Sequence, residues 1–322
     1  IKSSAASDVY KRQVEYLNGA YDSGSCGEDL TWTLSPDGVL TISGTGSMPD
    51  YSMKYANTTD YTWISTAPWA AHADRIQRLV MEEGVTSASK YAFCGLTALT
   101  AVTLPDSLST IGWGAFEDCS GLTGITIPSG VTAIGYSAFE DCTGLTSITL
   151  PDSVTSLDSS VFWGCSSLTS VTLPTGLTSI SGYLFIRCTS LTSITIPGGV
   201  TAIGASAFEG CKALTAIDLP DSLTALGASA FKSCSALRRA GIGRLTDISD
   251  SLFEGCAALE TVSSGTFKTV GQRAFYGCAA LAFPANSYGT DKLTYVQTIG
   301  ANAFTGCKGL TSVKFNNLTA LG

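Results

Sequence analysis

A period of 23 residues governs most of this sequence. Six cysteines recur at that interval without error, at Cys119, Cys142, Cys165, Cys188, Cys211 and Cys234. Each cysteine follows a phenylalanine by three residues and precedes a leucine by three, as in AFEDCTGL at residues 138–145. Self-similarity at such a period is typical of a solenoid, in which each turn buries its apolar face only against its neighbours.

The repeat divides the chain into three parts. Residues 76–322 hold ten full repeats and one truncated repeat, with an insertion around 284–291. Residues 14–75 carry no repeat. Residues 1–13 lack the apolar core of a signal peptide, and we interpret them as a non-native leader outside the fold.

The segment before the repeats carries the pattern of a β-hairpin. Residues 30–34 (LTWTL) alternate as in a strand, residues 35–38 (SPDG) form a turn signal, and residues 39–42 (VLTI) resume the apolar character. The end of a solenoid needs a cover for its exposed core. We therefore expect residues 14–75 to act as an N-terminal β-hairpin cap.

Within a repeat, the parity of the apolar residues predicts one short strand followed by a corner. Ile148 and Leu150 are expected to point inward, while Ser147 and Thr149 point outward. A second apolar pair then leads into the Ala-Phe-x-x-Cys segment, which we interpret as one helical turn. Recurrent glycines such as Gly135 indicate a sharp bend just before it.

Nine cysteines, from Cys119 to Cys307, occupy one position of the repeat and are expected to form a column. Adjacent members would lie about 5 Å apart with parallel Cβ vectors, which is not the geometry of a disulfide. Buried Cys commonly behaves as a small hydrophobe. We predict reduced core thiols, with some bridging as the alternative, and leave open the redox state of Cys26 and Cys94.

Charge narrows the classes of partner. The formal net charge is −8, whereas nucleic acid and anionic membrane both need clustered Lys and Arg. No run approaches 18 consecutive apolar residues, so the sequence predicts no membrane span.

The repeat motif Leu-x-x-Ile-x-Leu-Pro-x-x-Val-x-x-Ile-Gly-x-x-Ala-Phe-x-x-Cys resembles the leucine-rich repeat of BspA-like, Treponema-type proteins. The resemblance covers residues 76–322. The stretches CGEDLTWTL at 26–34, LTISGTG at 40–46 and APW at 67–69 are also similar to the N-terminal segment of such proteins from gut bacteria.

This resemblance implies a leucine-rich repeat solenoid of the α/β horseshoe class, β-rich with short parallel strands and little helix. It also implies a secreted or surface-attached bacterial protein, adhesive in some members, with no shared catalytic residues. The motif weakens at residues 237–242 and 262–264, where Pro is absent. We expect the sheet to be less regular there.

Few residues favour catalysis or metal binding. His72 is the only histidine, so a Ser-His-Asp or Cys-His site is confined to the cap, where an ordinary histidine is the simpler interpretation. Zinc is disfavoured because no two cysteines of the column share a turn. Glu117-Asp118 and Glu140-Asp141 stack in adjacent turns, but the column breaks in the next, which favours a solvated acidic edge over a calcium site. We predict no catalytic residue, cofactor or metal.

One candidate binding surface is the outward strand face. Its columns hold Thr126, Ser147, Thr149, Ser170, Thr172, Ser193 and Thr195. A flat Thr array organises water in ice-binding solenoids, yet Thr is also a good β-former on any exposed face. The neighbouring columns drift to other residue types, which disfavours ice binding.

The second candidate is aromatic. Trp113 and Tyr136 share one column, Trp163 and Ile186 share another, and Tyr183 lies near them. Glu117, Ala205, Glu209 and Lys232 hold corresponding positions elsewhere, so we expect these five side chains to form one solvent-exposed patch. Trp113 and Tyr136 should stack side by side, about 5 Å apart. Exposed apolar patches tend to mark contact sites; the alternative is that the rings merely cover the bend.

Together with the resemblance, which implies an extracellular bacterial protein, these features predict a monomer for non-covalent recognition or adhesion. Its ligand would be a protein or glycan on a host or neighbouring cell, bound through the strand face or the aromatic patch. The alternative is a passive stalk or spacer that displays other domains. An enzyme is the least expected class, for want of a site.

Overall fold

Short parallel strands stack repeat upon repeat in a computed structural model of the chain. The structure describes residues 21–55, 63–263, 266–283, 293–311, 313 and 315–322. The predicted leader at 1–13 and insertion at 284–291 lie outside the described residues. Within the described part, no helix has both the length and the apolar character that a membrane crossing requires.

The N-terminal part consists of short strands, of which the first three form a small antiparallel sheet. Its strands are β1 (Asp22–Ser25), β2 (Leu30–Leu34), β3 (Val39–Gly44), β4 (Gly46–Ser47), β5 (Met53–Tyr55) and β6 (Trp63–Ser65), followed by a 3-10 helix at Ala70–His72. β2 and β3 form a hairpin in which Trp32 lies opposite Ile42, and β1 pairs with the outer side of β2. β5 and β6 form a separate antiparallel pair.

The repeats build two ladders of strands, numbered along the chain. The first ladder holds β7 (Arg78–Met81), β9 (Ala101–Thr103), β12 (Ser147–Thr149), β14 (Ser170–Thr172), β17 (Ala216–Asp218), β19 (Arg239–Gly241) and β21 (Thr261–Ser263). The second holds β8 (Val85–Ala88), β10 (Thr110–Ile111), β11 (Ala133–Ile134), β13 (Ser156–Leu157), β15 (Ser179–Ile180), β16 (Ala202–Ile203), β18 (Ala225–Leu226), β20 (Asp247–Ile248), β22 (Thr269–Val270), β23 (Thr298–Ile299) and β24 (Ala320–Leu321). Successive repeats pair in parallel, with Ile148 beside Val171, and β3 pairs in parallel with β7.

A column of phenylalanines forms the centre of the rod. Phe116, Phe139 and Phe162 are fully buried, and their rings stack with centroids 5.4 and 5.9 Å apart. The column runs from Phe93 to Phe304, with one ring in each repeat. These contacts confirm the predicted register and the solenoid fold. Trp69 of the N-terminal part is also fully buried and stacks on Phe93 at 5.5 Å.

The cysteine column lies beside the phenylalanines, and all eleven cysteines of the chain are free. The Cys142 thiol donates to the Phe116 carbonyl of the preceding repeat at 3.1 Å, and the other eight thiols of the column repeat this contact. That carbonyl also accepts the N–H of Cys119. Burial raises the pKa of the Cys142 thiol well above its usual value, so it stays a protonated donor.

The Ala-Phe-x-x-Cys segment is not a helical turn, contrary to the expectation from sequence. Ser137 and Asp141 have φ of 54° each, in the left-handed region that interrupts a right-handed helix. The N–H of Phe116 donates to the Ala138 carbonyl of the next repeat at 2.8 Å, whereas the N–H of Cys119 donates locally to the Phe116 carbonyl at 3.2 Å. Alternating cross-repeat and local bonds therefore replace the helical ladder.

The recurrent glycines before this segment have a different cause from the one expected. Gly135 does not adopt a left-handed backbone. A Cβ at Gly135 would instead lie 2.8 Å from the Trp113 backbone nitrogen of the preceding repeat, and one at Gly227 would lie 2.4 Å from the Ala205 nitrogen. Close approach of neighbouring repeats, rather than a sharp bend, favours glycine here.

The first ladder is interrupted at places other than those expected. β19 and β21 pair in register where the motif weakens, although residue 264 lies outside the described residues. Arg239 supports this region with two hydrogen bonds to Asp218, at 2.6 and 2.8 Å, across neighbouring strands. Residues 124–126 and 193–195, by contrast, belong to no strand.

Candidate functional site

The corner segments of successive repeats form one edge of the rod, and aromatic rings occupy part of it. We call Tyr91, Trp113, Tyr136, Trp163 and Tyr183 the aromatic edge. These side chains precede the buried phenylalanine of their repeat by two or three residues, or follow it by one. Because the stacked phenylalanine column holds the corner of each repeat in the same orientation, each of these positions keeps its place on this edge from repeat to repeat.

Trp113 and Tyr136 form the first group, as the column predicted. Their side chains are 43% and 41% exposed, and their ring centroids lie 5.3 Å apart. The interplanar angle is 81°, so the rings meet edge to face rather than stacking in parallel. This arrangement is a favoured one, because the positive edge of one ring meets the negative face of the other.

Lys90 and Tyr91 extend this group and were missed by the sequence reasoning. The Lys90 Nζ lies 4.0 Å from the Trp113 ring centroid and 5.3 Å from that of Tyr91. The Tyr91 and Trp113 centroids are 5.9 Å apart. The repeat that contains Lys90 and Tyr91 has Leu96 in the usual cysteine position. Alignment on its Ala-Phe pair would have placed Lys90 in the Trp113 column.

Trp163 and Tyr183 form the second group. Their rings are stacked with an interplanar angle of 23° and centroids 6.0 Å apart. Tyr183 is 43% exposed, and Trp163 is half-buried. Ser159 and Gly182 continue the Trp113 column without a ring. The described residues show no ring contact between the two groups, so the expected single patch is two neighbouring aromatic groups.

Ile186 does not belong to this exposed surface, and its expected exposure was wrong. Its side chain is only 8% exposed. The residue after the core phenylalanine lies on the flank of the corner, where Glu117, Trp163 and Lys232 are all half-buried. Long side chains at this position reach solvent, whereas the short branched side chain of Ile186 stays covered.

Two carboxylates, Glu117 and Glu140, act on the Tyr91 ring of the first aromatic group, and Asp118 and Asp141 follow them in the sequence. Burial, followed by the neighbouring carboxylates, raises the pKa of Glu117 to about 7. Burial and the same neighbours raise the pKa values of Asp118 and Glu140. Ser137 donates a hydrogen bond to Glu140. Within the described residues, none of Glu117, Asp118, Glu140 and Asp141 forms an ion pair.

The outward strand face is exposed but not continuous. All seven of its predicted residues are exposed. β12 and β14 place Ser147 beside Ser170 and Thr149 beside Thr172, whereas Thr126, Ser193 and Thr195 lie in the two interruptions of the ladder. A cleft of about 530 Å³ opens at the first interruption and is lined in part by Thr123, Gly124 and Thr126. The hydroxyl columns therefore do not form one flat array.

The remaining chemically reactive groups have structural partners. His72 Nε2 lies 2.8 Å from the Asp22 carboxylate, and its ring meets the edge of Tyr21. This pair ties β1 to the short 3-10 helix. The thiols of the column donate to phenylalanine carbonyls, and all of them except the partly exposed Cys307 are buried. Within the described residues, no group of three or more His, Cys, Asp or Glu side chains is arranged to hold a metal ion.

Solved structures of similar proteins share this fold. A leucine-rich repeat protein from Eubacterium ventriosum matches with a TM-score of 0.55 and 24% identity over 93% of each chain. A leucine-rich repeat protein from Bacteroides ovatus matches with a TM-score of 0.51 and 21% identity over 88% of this chain and 92% of the other. None of the curated proteins matches the sequence. The fold is thus that of a leucine-rich repeat solenoid.

The repeats define the family more narrowly. The model of the BspA type leucine rich repeat region matches residues 71–189, 157–282 and 291–322, which is most of the chain. This chain therefore belongs to the BspA-type leucine-rich repeat family.

Proposed function

We propose that this protein is an extracellular or surface-attached bacterial recognition module that binds a protein or glycan on another cell. The exposed aromatic edge is the observation that carries the proposal. Trp113, Tyr136 and Tyr183 keep about two fifths of their surface in solvent although they lie on a rigid, fully packed corner. Rings held this way supply contact area at little entropic cost, and aromatics are enriched in binding hot spots.

The N-terminal part has a supporting role in this proposal. We propose that residues 14–75 cap the solenoid, because Trp69 closes the phenylalanine column and β3 adds a strand to β7. The Trp69 Nε1 also donates to the Ala92 carbonyl at 2.8 Å. The alternative function is a passive stalk. A stalk would have no need of exposed aromatic rings clustered on one edge.

Binding to a glycan and host-protein array tests the proposal. Trp113→Ala and Trp163→Ala should each weaken attachment to a captured ligand about thirtyfold, the loss typical of a hot-spot aromatic. The melting temperature of Trp113→Ala should stay close to wild type, because exposed side chains contribute little to stability, whereas the half-buried Trp163 allows a modest fall. Tyr295→Ala is the matched control, since Tyr295 is 46% exposed and lies outside the aromatic edge.

Capture that survives both tryptophan variants would move the binding surface away from the aromatic edge. If no ligand is captured from either array, the stalk becomes the better account of this chain.

A further inference from the structure

We propose that the aromatic edge around Trp113 is a binding site for a lysine or arginine side chain of a partner protein, and that Lys90 occupies this site in the free chain. The inference rests on the proposed function and names the chemistry of its ligand. It follows from three features that meet at one place: a cation already seated on the rings, carboxylates without counter-charges, and an exposed remainder of the ring surface.

The first feature is the Lys90 ammonium. It lies 4.0 Å from the Trp113 ring centroid, which is within the range where the negative ring face attracts a cation. Among the described residues, no carboxylate forms an ion pair with Lys90. The rings of Trp113 and Tyr91 are therefore the groups that hold it. This contact shows that the ring surface accepts an ammonium on a flexible side chain.

The second feature is the negative charge beside the rings. The Tyr91 ring and the Glu117 carboxylate meet over Gly114, where a Cβ would lie 2.4 Å from Tyr91 Cε1 and 2.7 Å from Glu117 Oε2. Burial raises the Tyr91 pKa, and Glu117 raises it further, so the carboxylate field reaches the ring. Glu140 of the next repeat lies in the Glu117 column.

These charges favour a cationic ligand over the other candidates. Glu117 and Glu140 act on the Tyr91 ring, and Lys90 is the cation that the described residues place over the Tyr91 and Trp113 rings. An uncharged sugar would stack on the rings but leave the carboxylates without a counter-charge. A partner's ammonium or guanidinium satisfies both the rings and the carboxylates. The exposed surface of Trp113 and Tyr136 leaves room for the chain that carries it.

Lys90 then acts as an internal competitor. A partner cation must either displace it from Trp113 or bind beside it against like-charge repulsion. Removing the Lys90 charge should strengthen binding in both cases, whereas removing the ring or the carboxylates should weaken it. These opposite changes in affinity distinguish a specific cation site from general electrostatic attraction to an acidic protein.

The probe is a fluorescently labelled hexalysine peptide, measured by anisotropy with the full chain at pH 8 and low salt. Trp113→Ala should weaken binding about tenfold or more, and Glu117→Gln with Glu140→Gln about tenfold. Lys90→Met should strengthen binding about threefold. The matched control is Glu28→Gln with Asp29→Asn, which removes the same charge from two exposed positions of the N-terminal part and should change binding less than twofold.

A peptide of six N-acetyl-lysines separates the two proposals. If it binds as well as hexalysine and still needs Trp113, the edge recognises apolar chains, so the proposed function stands and the cation site is wrong. The cation site would also be overturned if the Glu117/Glu140 double variant and the control double variant lost equal hexalysine affinity. Weaker hexalysine binding by Lys90→Met would overturn it as well. If Trp113→Ala leaves peptide binding unchanged, the cation site is wrong; the proposed function fails only if the arrays capture no ligand.

Discussion

Replacing Phe139 with alanine removes one ring from the middle of the phenylalanine column. Phe139 is fully buried and stacks on Phe116 at 5.4 Å and on Phe162 at 5.9 Å, with interplanar angles of 3° and 8°. Truncation of such a side chain costs the transfer free energy of the ring and leaves a cavity that a rigid stack cannot close. We expect the free energy of unfolding to fall by about 3–5 kcal/mol.

Phe304→Ala is the matched control at the end of the same column. Phe304 is partly exposed and stacks on Phe275 at 5.4 Å, and the described residues show no ring stacked on its other side. It therefore loses fewer contacts, and the expected cost is about 1–2 kcal/mol. The two variants differ in position along the column and not in chemistry.

Urea unfolding followed by far-ultraviolet circular dichroism measures both costs. Repeats unfold together with their neighbours, so a central lesion should lower the midpoint for most of the signal, while a terminal one acts locally. The slope of the free energy of unfolding against urea concentration should be unchanged if the substitution does not affect the unfolded state. Equal costs for the two variants, or a loss below about 1 kcal/mol for Phe139→Ala, would refute the column as the main source of stability.

Two further predictions concern the titratable groups. After denaturation without reductant, all eleven cysteines should react with a thiol reagent, while in the native protein only the partly exposed Cys307 should react readily; four bridges among them would exclude a reduced column. Glu117→Gln should raise the melting temperature at pH 8 and leave it unchanged at pH 4. The folded-state pKa of Glu117, about 7, lies above its usual value of 4.5, so stability is lost as pH rises from about 4.5 to about 7, and glutamine removes that loss. An equal effect at both pH values would contradict this linkage.

The fold was predictable because its signals repeat. One Phe and one Cys in each unit fix the register, and an error in one repeat is corrected by the next. The corner was not predictable from local preference. Its left-handed positions hold Gly114, Ser137, Tyr183 and Arg273 in different repeats, which share no backbone propensity. Hydrogen bonds to the following repeat impose this conformation, and such long-range bonds leave no pattern within one unit.

The aromatic edge was only partly predictable, for a similar reason. Column position gave the exposure of Trp113 and Tyr136, because small or polar residues occupy the same place elsewhere. It failed for Ile186, since exposure on the flank depends on side-chain length as well as position. It also missed Lys90, because a cation over a ring depends on the reach of a flexible side chain between neighbouring repeats.

The backbone strain at Tyr183 provides a test of whether the second aromatic group binds a ligand or only covers the corner. Tyr183 has a φ of 60° in a column where Ser160, in the preceding repeat, is fully buried. A left-handed backbone costs an ordinary residue about 1 kcal/mol or more relative to glycine. The ring gains little burial in return, because Tyr183 is 43% exposed.

Tyr183→Gly should therefore leave the free energy of unfolding unchanged or raise it by up to about 1 kcal/mol, because relief of the backbone offsets the lost contact with Trp163. The same variant should weaken attachment to a ligand captured by the array. Chemical denaturation and binding, measured on one preparation, give both signs. A fall in stability of more than about 1 kcal/mol would mean that the ring covers the corner, since only buried contacts of that size outweigh the relief of strain.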